Sequence, residues 1–139
     1  MSYGASAALQ AAVYDCLRSD AGVAAEVGDA VFDAVPVTAP GGVYLALGAE
    51  EVRGVADSGG SVSRHDFTVS VLAGGAAPAG FAALKRAGAA VTAALEGADL
   101  VTGAGPVAGL WFLRARAARA EKGAKRRVDL TFRALIDLV

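Results

Sequence analysis

The sequence predicts one α+β domain over residues 1–139, in which an antiparallel sheet of about four strands carries two main helices on one face. Residues 3–18 and 79–96 show the three- and four-residue apolar spacing of amphipathic helices. Apolar and polar residues alternate at 65–72 and 126–137, which is typical of half-buried strands. Hairpin-length links between successive strands favour antiparallel pairing.

The first half of the chain begins with a helix whose apolar stripe is Ala5, Leu9, Ala12, Val13, Cys16 and Leu17. We expect a short helical turn ended by Gly28 and a brief strand around 31–34. Prolines and glycines between 36 and 42 then mark a loop. VYLALG at 43–48 predicts a short strand, which residues 50–54 can continue.

The second half alternates clearly at 65–72, where Phe67, Val69 and Val71 share one face. The stripe of the second helix is Phe81, Leu84, Gly88, Val91 and Leu95. A helix stop is expected at Gly97, followed by a loop at 98–106. The predicted order of elements is α-(β)-β-β-α-β-β.

Two final strands, about 107–119 and 126–137, form a basic hairpin. One face of the second strand is apolar and consists of Val128, Leu130, Phe132, Ala134 and Ile136. Uninterrupted alternation in the first strand places Trp111 and Leu113 in the core, on the same face as Ala115 and Ala117. The opposite face then carries Phe112, Arg114 and Arg116.

The net charge of −1 conceals an asymmetry along the chain. Residues 109–139 carry eight Lys/Arg against three acids, whereas residues 1–108 carry five against eleven. Such a chain suits head-to-tail association with its own copies, and it equally suits a basic face on nucleic acid. Apolar content of 55% against 19% charged residues favours a surface shared with partners.

Features of secretion and membrane insertion are missing from the sequence. The single cysteine cannot form an intrachain disulfide. MSYGASAALQAAVYD lacks the basic head and apolar core of a signal peptide, and no uncharged apolar run reaches about 18 residues. We expect a protein without contact to a membrane, located in the cytoplasm of the producing cell.

No group of polar residues has the spacing of a catalytic, cofactor-binding or metal site. His65 is the only histidine and suits a structural role, and Cys16 lies on an apolar helix stripe. A phosphate-binding loop is absent, since Gly103 and Gly105 precede a strand. We interpret Glu50 and Glu51 as the solvated end of a strand. We therefore expect no enzyme and no cofactor.

The basic hairpin leaves three interpretations open. Its charges can protect a sheet edge from unwanted pairing. They can bind nucleic acid, although the hairpin tip carries no aromatic residue for base stacking. They can also contact proteins, because arginine and aromatic residues are enriched at interfaces. The third interpretation is favoured.

The order and spacing of five segments resemble those of the tail terminators, which are small tail-completion proteins of tailed bacteriophages and of alphaproteobacterial gene transfer agents. These segments are YLALG at 44–48, RHDFTVSVL at 64–72, GFAALKRAGAAVTAAL at 80–95, GLWFLRARAAR at 109–119 and RRVDLTFRALI at 126–136. The resemblance covers nearly the whole chain. It implies an α/β fold with helices against an antiparallel sheet.

The resemblance also implies a structural role. Such proteins form a hexameric ring at the head-proximal end of the tail tube, end tube polymerisation and offer a docking surface for head–tail joining. The implied partners are further copies of the chain, the tail tube protein, a head-completion or stopper protein, and DNA that passes through without sequence-specific binding. The implied locations are the cytoplasm of the producing bacterium during assembly and then the head–tail junction of the particle.

We expect the charged residues of the loop 49–64 and of the basic hairpin to contact neighbouring subunits. The predicted interface residues are Arg114, Arg116, Arg119, Lys122, Lys125, Arg126, Arg127, Glu50, Glu51 and Arg53. Two alternatives are a head-completion or connector component at the same junction and a nucleic-acid-binding module that uses residues 109–136.

Overall fold

The structure is a computed structural model that describes residues 3–55, 61–75, 79–120 and 125–137, without the side chains of 120 and 125. These residues form three helices and six strands. In chain order they are α1 Ser6–Ser19, α2 Ala21–Val27, β1 Val31–Phe32, β2 Gly42–Gly54, β3 Val62–Gly74, α3 Phe81–Glu96, β4 Val101–Thr102, β5 Gly105–Ala120 and β6 Lys125–Asp137.

The strands form one sheet in the order β1-β2-β3-β6-β5-β4. The four long strands pair antiparallel, as predicted, and the helices pack on one face. Two short strands lengthen the sheet to six: β1 pairs parallel with β2, and β4 pairs antiparallel with β5. The loop predicted at 98–106 therefore contains β4, whose two residues are too few to show a periodicity.

A single hydrophobic core fills the space between the sheet and the helices. The predicted apolar faces of β3 and β6 are buried in it, and the helix stripes supply the opposite side. The largest of these helix residues are Leu9, Val13, Leu17, Leu84, Val91 and Leu95. Phe132 lies at the centre, with Phe67 stacked at 5.6 Å and Phe112 edge-on at 5.8 Å between ring centroids.

A polar residue begins the second helix, α2, and a glycine ends it. Asp20 follows α1 and caps α2, because its carboxylate accepts a hydrogen bond from the backbone N–H of Val23 at 3.0 Å. Gly28 ends α2 with a φ of 63°, in the left-handed region that favours glycine. The predicted short helix and its stop are confirmed.

A β-bulge at Leu113 corrects the predicted faces of β5. Phe112 pairs with Phe132, but the next aligned pair is Arg114 with Thr131, so β5 contains one extra residue. The prediction that Trp111 belongs to the core, opposite Phe112, was wrong. Phe112 contacts the core, and Trp111 lies on the opposite face with 36% of its surface exposed.

The bulge at Leu113 also determines which way the other side chains of β5 face. After the bulge, Ala115 and Ala117 face the core while Arg114 and Arg116 face away from it, as predicted. Leu113 itself is half-buried at the bulge. The residue inserted at Leu113 thus reverses the two sides of the strand over 109–112 and leaves those after it as expected, and another register shift between Val107 and Gly109 returns Val107 to the side of Ile136.

A further irregularity lies in β2, where Gly48 and Ala49 interrupt the pairing with β3. Leu47 pairs with Val69, and the next aligned residue of β2 is Glu50, which pairs with Phe67. Because Phe67 faces the core, the bulge also turns Glu50 toward the helices.

The segment that precedes β2 passes close to the end of β3. A Cβ atom at Gly74 would lie 2.2 Å from the carbonyl oxygen of Pro40 and 3.1 Å from the Cβ of Ala39. Only a residue without a side chain leaves room for this approach. Gly74 therefore fixes the path of the chain over the sheet.

The two long hairpins turn at opposite ends of the sheet. The β2–β3 hairpin turns after Gly54, and the β5–β6 hairpin turns after Ala120. Leu72, near the end of β3, pairs with Arg127, near the start of β6. The last residues of β5 and the first residues of β6 consequently lie at the end of the sheet where β3 finishes, away from the last residues of β2 and the first residues of β3.

Candidate protein-interaction surface

Charged residues gather on the face of the sheet that no helix of the described chain covers. We call this surface the arginine face. It consists of Arg64, Asp66, Arg114, Arg116, Arg127, Asp129 and Arg133. The alternation of β3, β5 and β6 places these side chains opposite the core.

The strongest ion pair on the arginine face joins β3 to β6. Arg133 donates from Nε to Asp66 Oδ1 at 2.7 Å and from Nη2 to Asp66 Oδ2 at 2.9 Å, which is the paired geometry that a guanidinium forms with a carboxylate. The hydrogen bond from Arg133 lowers the pKa of Asp66, with further lowering from the charges of Arg133, Arg64 and Arg114. Asp66 is thus held ionised among three arginines.

This pair should make stability depend on pH in acid. The pKa of Asp66 is lower in the folded chain than in the unfolded chain, so its contribution is complete above about pH 4 and is lost as the pH falls through the folded value. We expect Asp66→Asn to lower Tm most near pH 6, and the difference from the parent to shrink below about pH 4. Thermal melts across this range measure it.

Asp99→Asn at an exposed position is the matched control for that experiment. It should give little change in Tm at any pH. A Tm difference between the parent and Asp66→Asn that stays constant from neutral pH into acid would show that the carboxylate charge does not stabilise the sheet.

A second network holds Arg127. Its guanidinium donates from Nη2 to Asp129 Oδ1 at 3.0 Å and to Ser70 Oγ at 3.1 Å. Ser70 in turn donates to Asp129 Oδ1 at 2.6 Å. Arg127 is therefore largely neutralised within the subunit.

Arg114 and Arg116 differ from these arginines. Within the described residues, neither guanidinium forms an ion pair or a hydrogen bond. Both line a groove of about 410 Å³ across the arginine face, together with the hydroxyl-bearing residues Thr68, Ser70 and Thr131. The groove therefore presents two positive charges that the described chain does not neutralise.

The end of the β5–β6 hairpin carries the next predicted interface residues. Arg119 pairs across the ladder with Arg126, on the side of the sheet that faces the helices. The guanidinium carbon of Arg126 lies 5.5 Å from the ring centroid of Phe81 in α3. Lys122 and the side chain of Lys125 lie outside the described residues.

At the other hairpin, Arg53 donates from Nε to Glu51 Oε1 at 3.0 Å, and both side chains are exposed. Glu51 and Arg53 pair with Asp66 and Arg64, so they extend the arginine face onto β2. Arg119 and Arg126 lie apart from it, on the helix side at the other end of the sheet.

Glu50 is exposed, as predicted, but it lies within β2 rather than at a strand end, and its carboxylate has partners. Ser6 donates from Oγ to Glu50 Oε1 at 2.5 Å, and Glu50 Oε2 lies 3.6 Å from His65 Nδ1. His65 is 0% exposed, and its Nε2 lies 2.8 Å from Ser63 Oγ. The bulge at Gly48 turns Glu50 inward, where its carboxylate links the start of α1 to β3.

The serine and the histidine of this serine–histidine–glutamate cluster are buried, and Glu50 lies at its exposed edge. Ser63 and His65 have no exposed surface, so a substrate has no direct access to them. The described residues also contain no group of three potential metal ligands. The cluster holds the start of α1 against the sheet, which fits the structural role predicted for His65.

Cys16 has the environment of a structural thiol. Burial raises its pKa, with a further contribution from the charge of Asp20. The thiol points toward the carbonyl oxygen of Ala94 in α3, with the sulfur 3.8 Å away. Because a thiolate is the reactive form, a raised pKa makes this cysteine a poor nucleophile.

The protective interpretation of the basic hairpin also has structural support. Strand β4 covers only Gly105 and Pro106 of β5, and elsewhere in the described chain β5 pairs with β6 alone. Arginines along such an open edge discourage pairing with other strands. Edge protection explains why β5 carries positive charge. It does not explain the groove that Arg114 and Arg116 line.

A sheet that is covered by helices on one side and charged on the other defines a small α+β domain with one face that no described helix covers. None of the described helices combines the length and apolar character needed to cross a membrane. The chain belongs to the family of tail completion protein gp17, whose model matches residues 11–137.

A solved structure supports the same assignment. The chain is 52% identical to a chain in the virion of a native gene transfer agent particle, with a TM-score of 0.86. The match covers 98% of this chain and 99% of that chain. The comparison with curated proteins gave no match. The resemblance to tail-completion proteins of bacteriophages and gene transfer agents is confirmed.

Proposed function

We propose that this protein is a structural virion protein that forms a ring on the head-proximal end of the tail tube. The ring ends tube polymerisation and provides the docking surface for head–tail joining, without catalysis or a cofactor. The observation that carries the proposal is the 52% identity, over 98% of this chain, to a chain of a gene transfer agent virion. Family membership over residues 11–137 supports it.

The arrangement of the hairpins suits a protein with two different neighbours along one axis. The β2–β3 hairpin carries Glu51 and Arg53 at one end of the sheet, and the β5–β6 hairpin carries Arg119 and Arg126 at the other. One end can contact the tail tube protein while the other contacts a head-completion or stopper protein. Polymerisation stops because only one end of the ring matches the tube, so that further tube subunits cannot add to the other end.

A closed ring needs a heterologous contact, in which one surface of a subunit meets a different surface of its neighbour. The acidic first part and basic last part of the chain suit this contact. We assign six copies to the ring, as the family resemblance implies. The proposed interface residues are Glu50, Glu51, Arg53, Arg114, Arg116, Arg119, Lys122, Lys125, Arg126 and Arg127.

The ring also has to let DNA pass without holding it. Phosphate binding by free lysines and arginines is independent of sequence and strengthens with each cation. On the arginine face, aspartates neutralise Arg127 and Arg133. This pairing limits attraction to a moving polyanion. We place the protein in the cytoplasm of the producing bacterium during assembly and afterwards at the head–tail junction.

Removal of the gene from cells that produce the particle tests the proposal. We expect tail tubes longer than normal and without heads, because tube subunits would continue to add. Electron microscopy of the particles measures tube length and head attachment, and an intact copy of the gene should restore both. Tubes of normal length that lack heads would instead indicate a connector, and normal particles would refute a role at the tail.

A further inference from the structure

Two grooves on this chain carry opposite charges that the described residues leave unpaired. The arginine groove, defined by Arg114 and Arg116, lies on the arginine face. The acidic groove, defined by Asp15 and Asp33, lies beside the start of α1 and has a volume of about 720 Å³. We infer that the acidic groove of a second copy of this chain docks against the arginine groove. The inference rests on the proposed ring and specifies its subunit contact.

The arginine groove is built to receive anions at fixed positions. Arg114 and Arg116 are two residues apart on β5 after the bulge, so both project from the same side, roughly 7 Å apart along the strand. Their neighbours Arg127 and Arg133 are already paired with aspartates. Of the arginines on this face, Arg64, Arg114 and Arg116 form no ion pair within the described residues, and only the last two of these line the groove.

The acidic groove offers the complementary groups. Within the described chain, neither the Asp15 nor the Asp33 carboxylate forms an ion pair or accepts a hydrogen bond, and Ser19 donates only to the backbone carbonyl of Asp15. Tyr3 and Tyr14 line the same groove, and Tyr3 is 70% exposed. Carboxylates bind guanidinium groups in a paired geometry, and tyrosine rings attract cations through their faces.

A contact inside the subunit already shows that this surface accepts a guanidinium. The Cζ atom of Arg18 lies 5.6 Å from the ring centroid of Tyr14. Arg18 Nη1 also donates a hydrogen bond to the Tyr14 hydroxyl at 3.2 Å. Arg114 and Arg116 of a second copy would extend the same interaction to Asp15 and Asp33.

A second copy is a better occupant of the arginine groove than nucleic acid. The two guanidinium groups of the arginine groove match in number the two carboxylates of the acidic groove, whereas nucleic acid is held through many phosphate contacts along its backbone. When a second copy fills one groove, each copy still leaves one groove of the other sign open. Association by this contact therefore continues from copy to copy, and it gives a ring when the rotation between neighbouring copies closes.

Charge exchange tests the pairing in cells that produce the particle. We expect Arg114→Glu with Arg116→Glu, and separately Asp15→Arg with Asp33→Arg, each to lower the yield of complete particles about tenfold or more, because like charges then face each other. The variant that carries all four changes should restore the yield, since the pairs are re-formed with reversed sign. Both pairs of positions are exposed, and thermal melting of each purified variant checks that it folds.

Lys85→Glu with Arg86→Glu, on the exposed side of α3, is the matched control for the arginine change and should leave the yield unchanged. Failure of the fourfold variant to restore the yield would overturn the inference, as would normal yield from either double variant. Loss of salt-dependent retention on DNA in the arginine variant, without rescue by the fourfold variant, would assign the groove to nucleic acid.

Disulfide trapping gives an independent measure in assembled particles. The variant Cys16→Ser, Ala11→Cys, Ala118→Cys places one thiol in the acidic groove and one on β5 beside the arginine groove. Oxidation should produce a ladder of copies that ends at the ring size, and absence of cross-linked species would overturn the inference. A ladder that stops at two copies would support the groove pairing but contradict the proposed ring, so the two failures are distinguishable.

Discussion

Replacement of Phe132 by alanine is expected to lower the free energy of unfolding by about 3–5 kcal/mol. Phe132 is 0% exposed and contacts the rings of Phe67 and Phe112 from the central strand β6. Its removal leaves a cavity between three strands that the rigid ladders cannot close. Denaturant unfolding followed by the fluorescence of Trp111 measures the change.

Phe112→Ala is the natural comparison. Phe112 contributes to the same aromatic cluster but is 36% exposed, so its truncation removes less buried surface and should cost clearly less. Equal losses for the two variants, or a loss below about 1 kcal/mol for Phe132→Ala, would show that the core is not centred on β6.

Gly74→Ala is expected to destabilise the protein by about 1–3 kcal/mol. The added methyl group would meet the Pro40 carbonyl oxygen at 2.2 Å, and backbone cannot move aside as a flexible side chain can. Circular dichroism during thermal unfolding measures the loss. Gly103→Ala in the turn before β5 is the control, because a Cβ atom there meets nothing within 4 Å.

The control should change stability by less than about 0.5 kcal/mol. If Gly74→Ala proved as harmless as Gly103→Ala, the segment before β2 would have to lie farther from β3 than the structure places it. The comparison therefore tests the chain path over the sheet rather than a general cost of replacing glycine.

Periodicity predicted the parts of the fold that dominate its energy. The stripes of α1 and α3 and the alternating faces of β3 and β6 are buried as expected, since each element presents a regular apolar surface to one core. These patterns are local, and a single strand or helix is long enough to show them. The same alternation predicted which polar side chains lie on the sheet face that no described helix covers.

The errors come from irregularities that periodicity assumes away. One extra residue at Leu113 exchanged the environments of Trp111 and Phe112, and the bulge at Gly48 turned Glu50 toward the core. An isolated glycine within a strand pattern is a recognised signal of a bulge, so the second error had a visible warning. In β5, Gly109 marks the register shift after Val107 in the same way, whereas the bulge at Leu113 had no comparable signal.

The candidate site was only partly visible in the sequence. The excess of positive charge near the end of the chain was plain, and Arg114 and Arg116 were placed on the correct face. Which arginines remain available could not be predicted, because Arg133 finds its carboxylate 67 positions away at Asp66. Such pairings depend on strand register, which becomes known only when the sheet is assembled.

The opposite placement of the two hairpin ends has a mechanical consequence. If each end holds a different neighbour, a pull along the particle axis runs parallel to β2, β3, β5 and β6. The load then falls on the backbone ladders in shear, where many hydrogen bonds resist together, rather than opening them one after another. The same sheet that separates the two contacts along the axis would thereby carry tension between head and tail.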